Sequence, residues 1–239
     1  MTTKPTKTIT TPHNIDRGIT KRFVGFVRKY EREKGNFAMG LVPMVLTREG
    51  NSERAMDITS CLLQQRIIML AGDVNTHDMS IIKQQLLWLE SQDPNSDIYM
   101  YIDSPGGEVL TGLGVYDTMQ YIKPDVCTIN LGMCASMGSF LLMGGAPGKR
   151  FSLPNVEVMI HQPSGGTQGK ASDMKLAVDH IIRLRQKLYD IYAKHTKMSQ
   201  KQMERLFDRD TWLTAEQALE LGLIDKIITR RGEEQEVTA

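Results

Sequence analysis

Two small-residue junctions, each leaving an apolar extended run and entering a helix, constrain this chain more than any other feature. The first is Ser104-Pro105-Gly106-Gly107, which follows the run Ile98–Ile102 and precedes a helical stretch from about 108 to 122. The second, Gly132-Met133-Cys134-Ala135-Ser136-Met137-Gly138, separates the apolar run Val126–Leu131 from an apolar helix over Ser136–Met143. Strand followed by helix, repeated, predicts an α/β fold with mostly parallel pairing, because parallel neighbours need a crossover and a helix is the usual one.

Other segments continue the alternation. Asp57 is placed to cap a short helix ending near Gln65, and Arg66–Leu70 is an apolar, β-rich run closed by Gly72. Met79, Ile82, Leu86 and Leu89 recur at spacings of three and four, the period of an amphipathic helix over Thr76–Leu89. Pro124 ends the helix that starts near 108. Two short strands are expected near 150–153 and 156–161, before the polar, glycine-rich stretch Ser164–Gly169. From about 171 to 196, Ala177, Ile181, Leu184, Leu188 and Ile191 form one apolar stripe along a long helix. A shorter helix near 199–207 leads to Asp208-Arg209-Asp210. Thr214 and Gln217 then make a capping box for a last helix, which ends at Gly222 before a strand over Leu223–Ile228.

The 239 residues suffice for one sizeable core, with no domain break evident beyond about residue 53. A net charge of +1 gives no global pull toward nucleic acid or an anionic membrane, and neither is expected as a partner. No run approaches the roughly 18 apolar residues of a membrane helix. Cys61, Cys127 and Cys134 show no metal-ligand or redox spacing, so reduced thiols in a cytoplasmic setting are expected, with no metal. Residues 1–39 stand apart: nine basic residues less three acidic ones leave +6. They read as a removable propeptide, a solvated tail or an organelle-targeting peptide, and the last leaves a mitochondrion or plastid open. Residues 231–239 form a short polar tail.

Chemistry concentrates at the two junctions. Ser136 stands at a helix N-terminus, where unpaired backbone N–H groups and the helix dipole favour developing negative charge. Serine also caps helices far more often than it attacks carbonyls, so both roles stand. A serine nucleophile needs a base within reach. Of the five histidines, His13 lies in the leader, His77 opens a helix, and His180 and His195 lie on the long helix, where a solvated or interface role is the default. His161 ends an apolar strand just before Gln162-Pro163, and strand ends gather at one edge of a parallel sheet. A satisfied buried histidine is the alternative. An acid would fix its tautomer, and by spacing Asp208 and Asp210 are equal candidates. At the first junction, glycines allow close backbone approach and free N–H groups for an oxyanion. A phosphate loop would need Gly-Lys-Ser/Thr or G-x-G-x-x-G, neither of which follows; a plain tight turn stays open.

Several segments together resemble the caseinolytic Clp protease proteolytic subunit family of serine peptidases. They are Ile102-Asp103-Ser104-Pro105-Gly106-Gly107, Tyr116-Asp117-Thr118-Met119-Gln120, Gly132 to Gly138, Met159-Ile160-His161-Gln162-Pro163, and Asp208-Arg209-Asp210 followed by Ala215-Glu216-x-Ala218. Their order and spacing agree over about residues 40–230. The resemblance implies a crotonase-like, Clp-protease-like α/β fold of repeated β-β-α units with a protruding strand-helix handle at about 162–196. It implies Ser136 as nucleophile, His161 as general base and Asp210, rather than Asp208, as third member. Backbone N–H groups of Gly107 and Met137 would form the oxyanion hole. An extended substrate would bind along Gly106, Gly107, Val109, Pro163 and Ser164. No cofactor is implied. The implied partners are further copies in two stacked heptameric rings, an AAA+ unfoldase ATPase docking near Tyr99, Tyr101 and Tyr121, and unfolded polypeptide substrates. Leu41-Val42-Pro43-Met44-Val45 resembles the family's loop around the axial pore, with a leader cut between Met39 and Gly40.

This sequence departs from the family in places. Asp103 stands where asparagine is common, beside the oxyanion loop. Ser164 replaces a usual leucine at the substrate edge, Cys134 is unusual near the nucleophile, and the leader is long. Three rival functions remain in view: a catalytically silent scaffold subunit, a crotonase-type acyl-CoA hydratase or isomerase using Glu108, and a signal-peptide-peptidase-like enzyme with a lysine base. The filled Ser/His/Asp positions disfavour all three.

Overall fold

The computed structural model describes residues 43–49 and 52–233. The leader, its expected cut and residues 234–239 of the tail lie outside the described residues. In the compact unit that begins at Met44, β1 (Met44–Glu49) and β2 (Ser52–Asp57) pair antiparallel. Met44 and Val45, expected in a loop, therefore belong to a strand. Asp57 caps α1 (Ile58–Gln64), its carboxylate accepting from the Ser60 N–H at 2.9 Å.

A larger sheet places β3 (Ile67–Ala71), β4 (Ile98–Ser104), β5 (Val126–Ala135), β6 (Arg150–Ser152) and β9 (Lys226–Ile227) side by side, all parallel. β7 (Glu157–Ile160) pairs parallel with the end of β5, and β8 (Thr211–Thr214) pairs antiparallel with β7. Between and after these strands lie α2 (Thr76–Gln92), α3 (Val109–Tyr121), α4 (Met137–Met143), α5 (Ala171–His195), α6 (Gln200–Leu206) and α7 (Ala215–Leu221). This is the mixed α/β architecture with a mostly parallel sheet that the alternation predicts, and it fits a Clp-protease-like fold.

The core follows the sequence periodicities. α2 buries Met79, Ile82, Leu86 and Leu89, and every residue of α4 is buried, as an apolar helix lying on a sheet must be. Each large aliphatic side chain so buried stabilises the fold by about 1.5–3 kcal/mol. A run of tilted and edge-to-face aromatic contacts joins Tyr116 to Phe140, Phe140 to Tyr192 and Tyr192 to Phe207, with centroids 5.3, 5.5 and 4.7 Å apart. It ties α3, α4 and α5 to the residue that ends α6. The capping box expected of Thr214 with Gln217 is formed, and Ser199 with Gln202 makes a second at the start of α6.

Three elements differ from expectation. β5 does not stop at Leu131 but continues to Ala135, because β7 supplies ladder partners to Met133, Cys134 and Ala135. β8 was not evident from its four residues, whose pairing comes from a distant segment. The final strand shrinks to Lys226–Ile227, while Leu223 and Ile224 pack into the core. α5 is graded along its length: Ala177, Ile181 and Leu184 are half-buried, Leu188 and Ile191 buried, and nothing before Leu188 is fully buried. Residues 162–170, expected to supply the strand of the handle, form neither helix nor strand.

Candidate active site

Pairing register brings the chemistry together. β5 and β7 run parallel with Ala135 opposite Met159, and the Ser136 N–H donates to the Met159 carbonyl at 2.9 Å. Ser136 and His161 therefore leave the same end of neighbouring strands, where sites of parallel sheets form. β8 runs back along β7 with Thr211 opposite Ile160, so one step further the register faces Asp210 with His161. The resulting contacts are short: Ser136 Oγ lies 2.8 Å from His161 Nε2, and His161 Nδ1 lies 3.0 Å from Asp210 Oδ1. A carboxylate only accepts, so Nδ1 donates to Asp210 and Nε2 is left to accept the Ser136 hydroxyl proton. Asp208 instead meets Arg209, at 3.6 Å, on the surface.

Ser136 is not an ordinary cap. Its side chain makes no capping bond, and its backbone sits at φ 54°, ψ −118°. Few L-residues adopt that conformation, which turns a strand into a helix within one residue. The surroundings leave no room for side chains nearby. A Cβ on Gly106 would lie 2.6 Å from Ser136 Cβ and 2.8 Å from Met137 N, and one on Gly138 would lie 2.7 Å from the Ser104 carbonyl oxygen.

Gly107 bridges Val74 in parallel fashion: the Val74 N–H donates to Gly106 O and the Glu108 N–H to Val74 O, both at 2.8 Å. Bonds that flank Gly107 in this way turn its own N–H away from Val74. At φ 152°, with the Val74 carbonyl 2.3 Å from where a Cβ would sit, only glycine fits there. Met137 is the first residue of α4, so its N–H has no intrahelical acceptor. Among the described residues neither the Gly107 nor the Met137 N–H meets a hydrogen-bond acceptor.

A small cleft beside Ser136 is lined by Val109, Met137, Phe140, Pro163, Leu188 and Tyr192, together with His161. Of the expected substrate-binding residues, Val109 and Pro163 line it, Gly106 presses on Ser136, and Ser164 lies exposed just outside. Phe140, Leu188 and Tyr192 were not singled out as site residues. Leu188 and Tyr192, four apart on one face of α5, were a usable signal.

The remaining residues of interest are accounted for in turn. Asp103 accepts from the Met133 N–H at 3.0 Å, bridging β4 and β5 beside the irregularity in their pairing. Cys134 is buried, and burial pushes its thiol well above the usual range. His195 is neither solvated nor free: its ring lies 2.8 Å from the Tyr116 hydroxyl, and burial, then Arg150 and Lys194, hold its pKa below the ordinary value. Tyr99 and Tyr101 share one face of β4 and pack against a small cluster with Cys127, Ile129, Phe151 and Ile228, whereas Tyr121 is 81% exposed.

The family model described as Clp protease matches residues 50–231. That span includes both glycine junctions, His161 and Asp210, and covers more than half of the chain. The chain therefore belongs to the Clp protease family, a family of peptidases.

Proposed function

We propose that this peptidase is of the serine type, with Ser136 as nucleophile, His161 as general base and Asp210 as the acid that orients and stabilises the imidazolium. The observation that carries the reading is the unbroken hydrogen-bonded series Ser136–His161–Asp210, with contacts of 2.8 and 3.0 Å. His161 Nε2 removes the hydroxyl proton as Oγ attacks the peptide carbonyl. The oxyanion is held by the N–H groups of Gly107 and Met137. His161 then returns its proton to the leaving amine, and water, activated by the same imidazole, releases the acyl-enzyme. An extended substrate strand beside Gly107–Val109 and Pro163–Ser164 would be bound chiefly through its main chain, which gives loose sequence preference. Glu108 is engaged by Thr76 and Thr111, which favours peptidase over crotonase-type chemistry.

By its family the subunit would work in a self-assembled chamber of two stacked seven-membered rings, interlocked through the exposed first half of α5. An AAA+ ATPase docked near Tyr99, Tyr101 and Tyr121 would deliver unfolded chains. The test compares wild type, Ser136→Ala and Asp210→Asn on a short fluorogenic peptide without nucleotide, and on a folded protein with an AAA+ unfoldase and ATP. Wild type should cleave the peptide unaided and the folded protein only with the ATPase. Asp210→Asn should lose about 10⁴ in kcat. Equal peptide cleavage by wild type and Ser136→Ala would overturn the assignment.

A further inference from the structure

The Gly106-Gly107 segment, at positive φ of 92° and 152°, has little conformational rigidity of its own, because glycine lacks the Cβ that restricts other residues. Its support comes from the segment between β3 and α2. Gly72 N–H donates to Asp103 O at 2.9 Å, Ser104 Oγ donates to Gly72 O at 2.6 Å, and Ser104 Oγ accepts from the Gly106 N–H at 3.1 Å. Val74 then pairs on both sides of Gly107. Past that point the shortest side-chain hydrogen bond between the two segments among the described residues is made by Glu108, the residue that follows Gly107.

Glu108 occupies the cap position of α3 but makes no capping bond. Its Oε2 reaches across instead, accepting from Thr76 Oγ1, on the first residue of α2, at 2.8 Å and from Thr111 Oγ1, in the first turn of α3, at 2.7 Å. The two hydroxyls are themselves 3.4 Å apart. One carboxylate oxygen thus joins the starts of the two helices that flank the oxyanion loop. The bonds from Thr111 and then Thr76 hold the Glu108 pKa below its usual value.

We propose that Glu108 is a positioning residue for the reaction: by tying Thr76 to Thr111 it fixes where the Gly107 N–H stands relative to Ser136. This rests on the serine-peptidase reading of the site. Glu108 touches neither Ser136 nor His161 and acts only through the loop. Small errors in donor placement matter because catalytic groups act within a fraction of an ångström.

The test measures kcat and KM on the fluorogenic peptide for the full-length protein and its Glu108→Ala, Glu108→Gln, Thr76→Val and double Glu108→Ala/Thr76→Val variants, with thermal unfolding of each. Glu108→Ala should lower kcat about tenfold, with KM changed less than about twofold and assembly retained. Glu108→Gln should keep most of the activity, since its amide oxygen still accepts both hydroxyls. Thr76→Val should fall between, and the double variant should be no worse than Glu108→Ala, because the two changes break the same link. If Glu108→Ala fails to fold, Glu108→Gln against Thr76→Val decides by the same ordering. Unchanged kcat in Glu108→Ala or Thr76→Val, or a Glu108→Gln loss as large as that of Glu108→Ala, would overturn the proposal while leaving the serine-peptidase reading intact. An inert wild type would overturn both.

Discussion

Ser136 holds a backbone conformation that costs an L-residue about 1–3 kcal/mol, at φ 54° and ψ −118°. The conformation is that of the first central residue in a type II′ turn, a position glycine prefers. A serine kept there despite the strain has its hydroxyl presented toward His161 rather than folded back as a cap. Ser136→Ala and Ser136→Gly both remove the proposed nucleophile, and each should lower activity by about 10⁶. Only alanine keeps the strained Cβ, so Ser136→Gly should be the more stable by roughly 1 kcal/mol in denaturant unfolding. Equal midpoints would contradict the strain. At this scale Ser136 and His161 stood out in the sequence as candidates, Ser136 because it opens an apolar helix after a small-residue junction and His161 because it ends an apolar strand. Asp210 was not separable from Asp208 by spacing, since the choice depends on a strand pairing that no local pattern reveals.

Among the elements, helices were read best, because their period of apolar residues is local and repeats over several turns. The strands β5 and β8 show why the rest was hidden. β5 continues through Gly132 only because β7 pairs with its end, and β8 is held to β7 from more than fifty residues away in the chain. Arg150 is a second long-range joint. Its guanidinium forms two bonds to the Asp225 carboxylate at 2.9 and 2.6 Å, and others to the carbonyls of His195 and Gly222 at 2.8 and 3.0 Å. The ends of α5 and α7 are therefore gathered on one buried cation, which explains a buried arginine at the start of β6. Arg150→Leu should cost about 3–5 kcal/mol, because it removes the guanidinium from the Asp225 carboxylate, which keeps only the backbone N–H of residue 150, and from the carbonyls of His195 and Gly222. Chemical denaturation measures it; a loss below about 1 kcal/mol would mean that water replaces the guanidinium.

At the scale of the whole molecule, one partly buried histidine contributes a pH dependence to stability. His195 is held neutral by burial, with Arg150 and Lys194 adding to the effect, so its folded pKa lies below the ordinary 6.5. The unfolded chain then takes up a proton more readily than the fold. Stability from this site is complete above about pH 6.5 and declines as pH falls through the window between 6.5 and the depressed value. Thermal unfolding of wild type should accordingly weaken between pH 7.5 and 5.5, roughly a span over which an ordinary histidine titrates, and His195→Gln should weaken less. Identical slopes would remove the assignment. The alternation of elements showed the α/β class in advance, and the set of motifs showed the family. The closing of the cleft by Phe140, Leu188 and Tyr192 did not show, because it depends on α5 returning over α4. The proposed mechanism passes through an acyl-enzyme at Ser136. The most direct test treats the purified full-length protein, Ser136→Ala and His161→Ala with a fluorophosphonate probe and locates the adduct by mass spectrometry. Labelling of wild type at Ser136, absent in both variants, is the predicted result; an assembled wild type that takes no label, or takes it elsewhere, would contradict it.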